Sequence, residues 1–301
     1  MNRSALLPAV VSIGLVGFGE VGRIFAQALL PKVASVSAWD VKFAEPAMRH
    51  ETQALGVDAA DSLADLCQRS QLVVSAVTAS STLAVARESA AHLKAGTFFL
   101  DLNSASPGTK QQAAALIDAA GGCYVEAGVM TSVPPHGVGV PMLIGGPHAG
   151  ALLPTLLSLG MNASVASERL GVASATKMCR SVMIKGLEAL VIESYATARH
   201  HGVEDAMVAT LQETFPGIDW SAQGSYFFSR VAQHGQRRAE EMREVANTVR
   251  EAGFEPFMAS AIADKHDWMA AQARSGAFHD LPDQPHWQAF ADALLKARGP
   301  G

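Results

Sequence analysis

Ser12-Ile13-Gly14-Leu15-Val16-Gly17-Phe18-Gly19-Glu20-Val21-Gly22 is the stretch that decides the fold. Ser12 to Val16 reads as a short apolar strand. The run Gly17 to Gly22 then leads into a helix expected over about Val21 to Leu30, the setting in which G-x-G-x-x-G means dinucleotide binding. Each glycine has its own physical reason to be there. Gly17 permits the tight turn, Gly19 lets backbone approach a pyrophosphate, and Gly22 lets the helix pack closely on the strand. Phe18, Glu20 and Val21 complete the turn, and the helix N-terminus offers N–H groups and a positive dipole end to phosphates.

The next residues outward extend this pattern. Asp40 closes a second expected strand, Ser35 to Trp39, where a carboxylate can accept hydrogen bonds from an adenosine ribose and would repel a 2′-phosphate. That favours NAD, while Lys42, two positions on, keeps NADP open. A doubly wound fold with a surface aspartate, or a methyltransferase with a similar turn, is the plainer reading of the same residues. Further apolar runs at Leu72 to Val77, Phe98 to Leu102, Cys123 to Glu126 and Pro141 to Ile144 alternate with helical stretches. Those stretches are Pro46 to Leu55, Ser62 to Gln68, Thr82 to Leu93 and Pro107 to Ala119, with another helix leading to Gly160. Strand and helix in alternation is the pattern of βαβ units around a parallel sheet.

After about Ser167 the alternation stops. Val172 to His201 holds no proline and only Gly186 as a glycine, so it reads as one helix on the order of 45 Å long. Shorter helical stretches are expected from Asp205 to Arg298, broken at Pro216-Gly217, Gly253, Pro256, Gly276 and Pro282. The expected fold class is therefore α/β: a Rossmann-type doubly wound, mostly parallel sheet over residues 1–168, followed by an all-α domain over residues 169–301. The long helix joins the two.

Composition narrows the function classes. With 301 residues, 49% of them apolar and 17% charged, the chain can bury a sizeable core. A net charge of -5 leaves no basic field to hold a nucleic-acid backbone. Cys67, Cys123 and Cys179 form no CxxC pair, which suggests neither a disulfide framework nor a structural zinc site and fits a reducing, cytoplasmic setting. Met1 to Val16 reads as a short tail plus the first strand rather than a signal peptide, and no apolar run reaches the roughly 18 residues of a spanning helix.

Two more constellations carry chemistry. Asp101-Leu102-Asn103-Ser104-Ala105-Ser106-Pro107 comes off the end of an expected strand, where open α/β sheets bind ligands, so Asn103 and Ser104 would face the cofactor crevice. Ser106 before Pro107 is explained by helix capping alone. Gly171 to Ser181 opens the long helix and sets Lys177 among small and apolar residues, with Ser181 and Glu188 near its face. A lysine in a confined site can exchange a proton with a substrate oxygen; a solvated lysine on a helix surface is the plainer reading.

Together the three segments resemble the β-hydroxyacid dehydrogenases, the superfamily that includes 3-hydroxyisobutyrate and 6-phosphogluconate dehydrogenases. The likeness covers roughly residues 12 to 200, with its motifs in the family's order: the glycine turn, the loop Asp101 to Pro107, and Gly171 leading to Lys177. The resemblance implies that Lys177 is the catalytic acid/base, that Asn103 and Ser104 hold substrate, and that Val77 and Thr78 lie near the nicotinamide ribose. It also implies an active crevice between domains and a homodimer in which each subunit's helical domain closes the other's cleft. Within the family the chain looks most like a sparsely characterised branch with a compact helical C-terminal domain.

Three departures mark this chain. Ser181, preceded by Arg180, stands where relatives usually have an asparagine four residues after the lysine. Val129-Met130-Thr131-Ser132-Val133-Pro134-Pro135 replaces the family's Ser-Gly-Gly loop, and Thr131 is its candidate substrate contact. Ile184 occupies the position of the glutamate found in decarboxylating 6-phosphogluconate dehydrogenases.

The expected activity is hydride transfer between NAD or NADP and a small hydroxy acid or its oxo form, with no catalytic metal. Arg180 is the candidate for gripping a substrate carboxylate bidentately, against an ordinary salt bridge. An imine reductase of similar fold is one alternative, although such relatives commonly place a residue other than lysine at the proton-donor position. A non-catalytic dinucleotide-binding protein is another. His200 and His201 read as helix-end cations, and Phe215, Trp220, Tyr226, Phe227 and Phe228 as core more simply than as pocket.

Overall fold

The computed structural model describes residues 12–297; the tail expected before Ser12 lies outside them. The chain divides into two compact units, the first ending at Met178 and the second beginning at Cys179.

The first unit is built on eight strands. In chain order they are β1 (Ser12–Val16), β2 (Ser35–Trp39), β3 (Asp58–Ala59), β4 (Leu72–Ser75), β5 (Phe98–Asp101), β6 (Cys123–Val129), β7 (Met142–Gly145) and β8 (Ala163–Ser167). They form one sheet in the order β3-β2-β1-β4-β5-β6-β7-β8, parallel except where β6 meets β7. The order reverses between β1 and β4, and in open α/β sheets the crevice outside the carboxyl ends of strands at such a point binds ligands.

Among the described residues six α-helices lie wholly within this unit: α1 (Glu20–Leu29), α2 (Pro46–Ala54), α3 (Leu63–Arg69), α4 (Thr82–Ala90), α5 (Pro107–Ala119) and α6 (Ala149–Ser158). The strands sort side chains by period two onto two apolar layers. Ile13, Leu15, Leu72, Val74 and Leu100 pack with Phe25 and Leu29 of α1 and Leu152 and Leu156 of α6. Val73 and Phe99 pack with Leu63 and Leu66 of α3 and Ala113 and Ile117 of α5.

Several sequence expectations need correction. The strand expected to reach Val77 stops at Ser75, because the Val77 N–H leaves the sheet and donates to the Asn103 side chain at 2.7 Å. The run expected to end at Glu126 continues to Val129, held by antiparallel pairing with β7. Strands β3 and β8 have no counterpart among the expected strands. The division at Met178 leaves the first residues of the long helix, Val172 to Met178, with the sheet.

That helix, α7, runs over Val172–His201 as the sequence indicates. It is followed by α8 (Glu204–Thr214), α9 (Trp220–Glu251), α10 (Phe257–Arg274) and α11 (Trp287–Ala297). The helix breaks fall at the glycines and prolines that the sequence points to. The span of α9 is interrupted by non-helical backbone at His234, so it consists of two shorter helices joined by a kink, whereas α7 runs over 30 residues. No helix among the described residues is long and apolar enough to cross a membrane.

The core of the second unit gathers Ile192, Tyr195, Trp220, Phe227, Phe228, Met269, Trp287 and Phe290. Trp220, Phe227 and Phe228 are thus core residues, whereas Phe215 and Tyr226 are exposed. Beside this core lies a buried charged group. Arg238 of α9 donates to both carboxylate oxygens of Glu188 on α7, and Lys185 Nζ donates to Glu241 at 2.6 Å. Glu188 is therefore committed to Arg238 and not to the Lys177 face.

Fully buried His266 of α10 stands 3.7 Å from Glu188, yet neither ring nitrogen has a hydrogen-bond partner among the described residues. Because Arg238 occupies both Glu188 oxygens, burial dominates. With help from Arg238 and Lys185 and against Glu241, it pulls the imidazole pKa down from 6.5 to about 3. The unfolded chain then binds a proton that the folded chain refuses, so stability is full above about pH 6.5 and falls as the pH drops toward 3, by up to about 5 kcal/mol. Denaturant titrations across this range should show a shallower acid slope for His266→Leu than for the parent. Equal slopes would show that His266 is not buried in its neutral form.

Candidate active site

The site grows out of the ends of β1, β4 and β5. Gly17 adopts φ +91°, and a Cβ there would stand 2.5 Å from the Ala76 carbonyl oxygen. The turn therefore needs glycine both for its backbone angle and for its approach to the segment after β4. A Cβ on Gly22 would lie 2.3 Å from the Gly17 carbonyl oxygen, which is why α1 can start so close to the turn. A Cβ on Gly19, by contrast, would meet nothing within 4 Å, and α1 begins there without a side-chain cap. An open backbone surface above a helix N-terminus is the cradle that a dinucleotide pyrophosphate requires, so the residues present fit that group.

Asp40 is half-buried at the end of β2 and fastens the turn. Its Oδ2 accepts from the Phe18 N–H at 2.7 Å, and its Oδ1 accepts from the Lys42 N–H at 2.9 Å. Each oxygen keeps a further lone pair for a ribose hydroxyl. Lys42 itself is exposed, as is Glu20, while Val21 is half-buried.

From Gly17 a continuous series of contacts leads to the lysine. Gly17 lies against Ala76 and Val77, and the Val77 N–H donates to Asn103 Oδ1. Asn103 Nδ2 donates to Ser75 Oγ at 3.0 Å. Next to Asn103, the half-buried Ser104 accepts from Lys177 Nζ at 2.5 Å. Glycine turn, Val77, Asn103, Ser104 and Lys177 are thus brought together within the first unit. Asn103 is buried, and its side chain cross-ties the segments after β4 and β5. Thr78 is exposed, and its hydroxyl pairs with Ser80 and Ser81.

Three residues are not brought into this series. Thr131 is exposed after β6 and makes no side-chain hydrogen bond among the described residues. Arg180 and Ser181 stand about one turn further along α7, past the division at Met178. Arg180 is exposed without an ion pair among the described residues, and Ser181 is buried.

Sequence reasoning missed the groups beneath the site. Asp101, the last residue of β5, is fully buried and pairs with fully buried Lys110 of α5 at 2.8 Å. Lys110 Nζ also donates to the Asp101 carbonyl oxygen at 2.9 Å. Tyr124 donates its hydroxyl to Asp101 Oδ2 at 2.7 Å, and the Asn103 N–H donates to Oδ1 at 2.9 Å. Burial first, then the Asp101 carboxylate, pushes the Tyr124 hydroxyl well up, keeping it a proton donor. Across the sheet, the register neighbour of Asp101 on β6 is Glu126, also fully buried, which accepts from the start of α7. An acidic residue in each of two neighbouring apolar runs, Phe98 to Asp101 and Cys123 to Glu126, was the available signal.

Comparison with known proteins gives these observations a setting. Residues 12–160 match the family described as the NAD binding domain of 6-phosphogluconate dehydrogenase, and residues 198–269 match a domain of unknown function. A conserved hypothetical protein of Sinorhizobium meliloti 1021 is 35% identical, with 98% of this chain and 99% of that one covered and a TM-score of 0.76. The conserved protein MTH1747, of unknown function and described as structurally similar to 3-hydroxyacid dehydrogenases, is 29% identical over 88% of this chain and 98% of its own, with a TM-score of 0.69. The 3-hydroxyisobutyrate dehydrogenase of Mycobacterium tuberculosis shares the fold, at 16% identity, a TM-score of 0.72, and coverage of 95% and 99%.

Proposed function

Since this chain belongs to the β-hydroxyacid dehydrogenase superfamily, we propose that it transfers a hydride between a nicotinamide dinucleotide and a small hydroxy acid or its oxo form. The observation that carries this reading is Lys177 Nζ on Ser104 Oγ, in a contact series that starts at the dinucleotide turn.

A nicotinamide dinucleotide, when held by the glycine turn and Asp40, would supply the hydride acceptor or donor. In oxidation, Lys177 takes the hydroxyl proton as the carbinol carbon becomes a carbonyl, and in reduction it returns that proton to the developing alkoxide. Ser104 orients the ammonium and contacts substrate. Asn103 keeps Ser104 and the Val77 backbone in register. Arg180, exposed and without an ion pair among the described residues, is the residue we assign to the substrate carboxylate, with Ser181 and Thr131 as further contacts. Val77 and Thr78 line the nicotinamide ribose. The functional assembly is read as a homodimer, supported by exposed Met183, Ile184 and Leu190 on α7 and checked by light scattering.

NAD is the favoured cofactor because Asp40 presents a carboxylate to the ribose position. Absorbance assays with NAD and NADP against three- to six-carbon hydroxy acids test both parts of the reading. We expect turnover with NAD, and a preference for NAD over NADP that shrinks at least about tenfold in Asp40→Ala, as loss of one carboxylate's hydrogen bonds and repulsion implies. Turnover with imines but with no hydroxy or oxo acid would overturn the substrate class. NADH binding without any turnover would favour the non-catalytic alternative.

A further inference from the structure

We propose that Glu126 is the positioning residue of the active centre: its carboxylate, reaching out of the sheet, seats the first turn of α7 and thereby sets where Lys177 Nζ stands. The inference rests on the lysine reading above, and its test includes a measurement that does not.

Glu126 is fully buried and has no ion-pair partner among the described residues. Its oxygens are instead filled from the helix start. Oε1 accepts from the Gly171 N–H at 2.7 Å and the Ala173 N–H at 3.2 Å. Oε2 accepts from the Ser174 N–H at 3.3 Å and the Ser174 hydroxyl at 2.7 Å. An isolated carboxylate in an apolar interior is prohibitively costly. Here the otherwise unpaired N–H groups and positive end of a 30-residue helix compensate it.

The donor set makes this more than a helix cap. An ordinary cap comes from the residue just before the helix and follows wherever that helix goes. Glu126 comes from the middle of β6, 45 residues before Gly171, and so fastens the helix to the sheet. The surroundings are shaped for that seat. A Cβ on Gly128 of the same strand would stand 2.9 Å from the Ala173 carbonyl oxygen and 3.4 Å from Lys177 Cβ. A Cβ on Gly145 of β7 would lie 2.6 Å from Glu126 Oε1.

Lys177 follows Ser174 by three residues, so a shift of the first turn moves the lysine with it. Its Nζ meets Ser104 Oγ, on a loop fixed separately by Asp101 and Asn103. Lysine and loop therefore keep their spacing only if α7 is held to the same sheet that holds the loop. A misplacement of about 1 Å in such a pair can cost about 10²-fold in rate.

The test uses the full chain. Glu126→Gln keeps the shape but replaces one acceptor oxygen by a donor group facing Ser174. We expect kcat to fall by about 10- to 100-fold, with the NADH dissociation constant unchanged within about twofold, because the glycine turn is untouched. Ser174→Ala removes one donor only and should lower kcat about threefold, again without loss of NADH binding, as one neutral hydrogen bond implies.

Alongside these, Lys177→Ala tests the lysine reading itself. Reductive methylation of Lys177, read by peptide mass spectrometry against the other lysines, tests Glu126 even if that reading fails. The proposal expects the relative labelling rate of Lys177 to change by at least about threefold in Glu126→Gln, as loss of a fixed charge-assisted contact implies. Unchanged labelling and near-normal kcat in Glu126→Gln would overturn it, as would joint loss of kcat and NADH binding. If Glu126→Gln does not fold, Ser174→Ala decides: unchanged kcat and labelling there overturn the proposal.

Discussion

Replacing Lys177 by alanine should lower kcat by about 10² to 10⁴, the range that a positioned proton donor contributes, while NADH binds as before. The separation of the two effects follows from the geometry. The dinucleotide contacts we propose would come from the turn after β1 and the segment after β4, whereas the ammonium sits on Ser104 after β5. Removing it leaves the turn, Asp40 and Val77 in place. Fluorescence titration with NADH and steady-state assays on the same preparation measure both quantities. A variant with near-normal kcat would remove Lys177 from the mechanism, and one that no longer binds NADH would show that its role is structural.

Lys110→Met should be the most destabilising single change in the first unit, by about 3 to 5 kcal/mol. Lys110 and Asp101 are both fully buried, so taking away the ammonium strands a carboxylate whose remaining partners are neutral: the Tyr124 hydroxyl and the Asn103 N–H. In a chain of this size such a loss lowers Tm by roughly 10 °C. Because the Asn103–Ser104 loop starts at Asp101, kcat should drop as well. Adding Asp101→Asn removes the stranded charge and should restore a good part of the stability. Calorimetry of the parent and the two variants decides; a Lys110→Met protein within about 1 kcal/mol of the parent would mean that the pair is not dry.

Local rules made much of this molecule readable. Strand, glycine turn and helix from Ser12 to Leu29, the second strand, α5 and α7 follow from period, capping and the absence of breakers, all properties of neighbouring residues. What escaped depends on partners far along the chain. Ala163–Ser167 is made of small residues around an exposed Val165, offers no bulky apolar stripe, and becomes a strand by pairing with β7. Helix α9 runs through Gly224 and kinks beside Gly235, two places where tertiary neighbours leave no room for a side chain: a Cβ on Gly224 would meet the Tyr195 ring at 2.7 Å, and one on Gly235 the His266 carbonyl oxygen at 2.7 Å. In the site, the sequence singles out Lys177 and Ser104 as candidates, and the structure brings the two into contact. Their support could not be singled out in this way, since Lys110, Tyr124 and Glu126 become informative only once strand register sets Asp101 beside Glu126.

The junction between the two units falls inside α7, with Met178 and Cys179 in consecutive helical positions. A loop at such a border tolerates inserted residues, but a helix does not. One added residue there would turn every later side chain of α7 by about 100° about its axis and advance it by about 1.5 Å. The partners of Ile192, Tyr195 and Glu188 all lie beyond the insertion and would move with them, so that core would survive, while Arg180 and Ser181 would lose their places on the helix relative to Lys177. Length variation among relatives, and any successful graft of one helical half onto another's sheet, should therefore fall beyond the chain reversal at Gly202 and preserve the phase of α7.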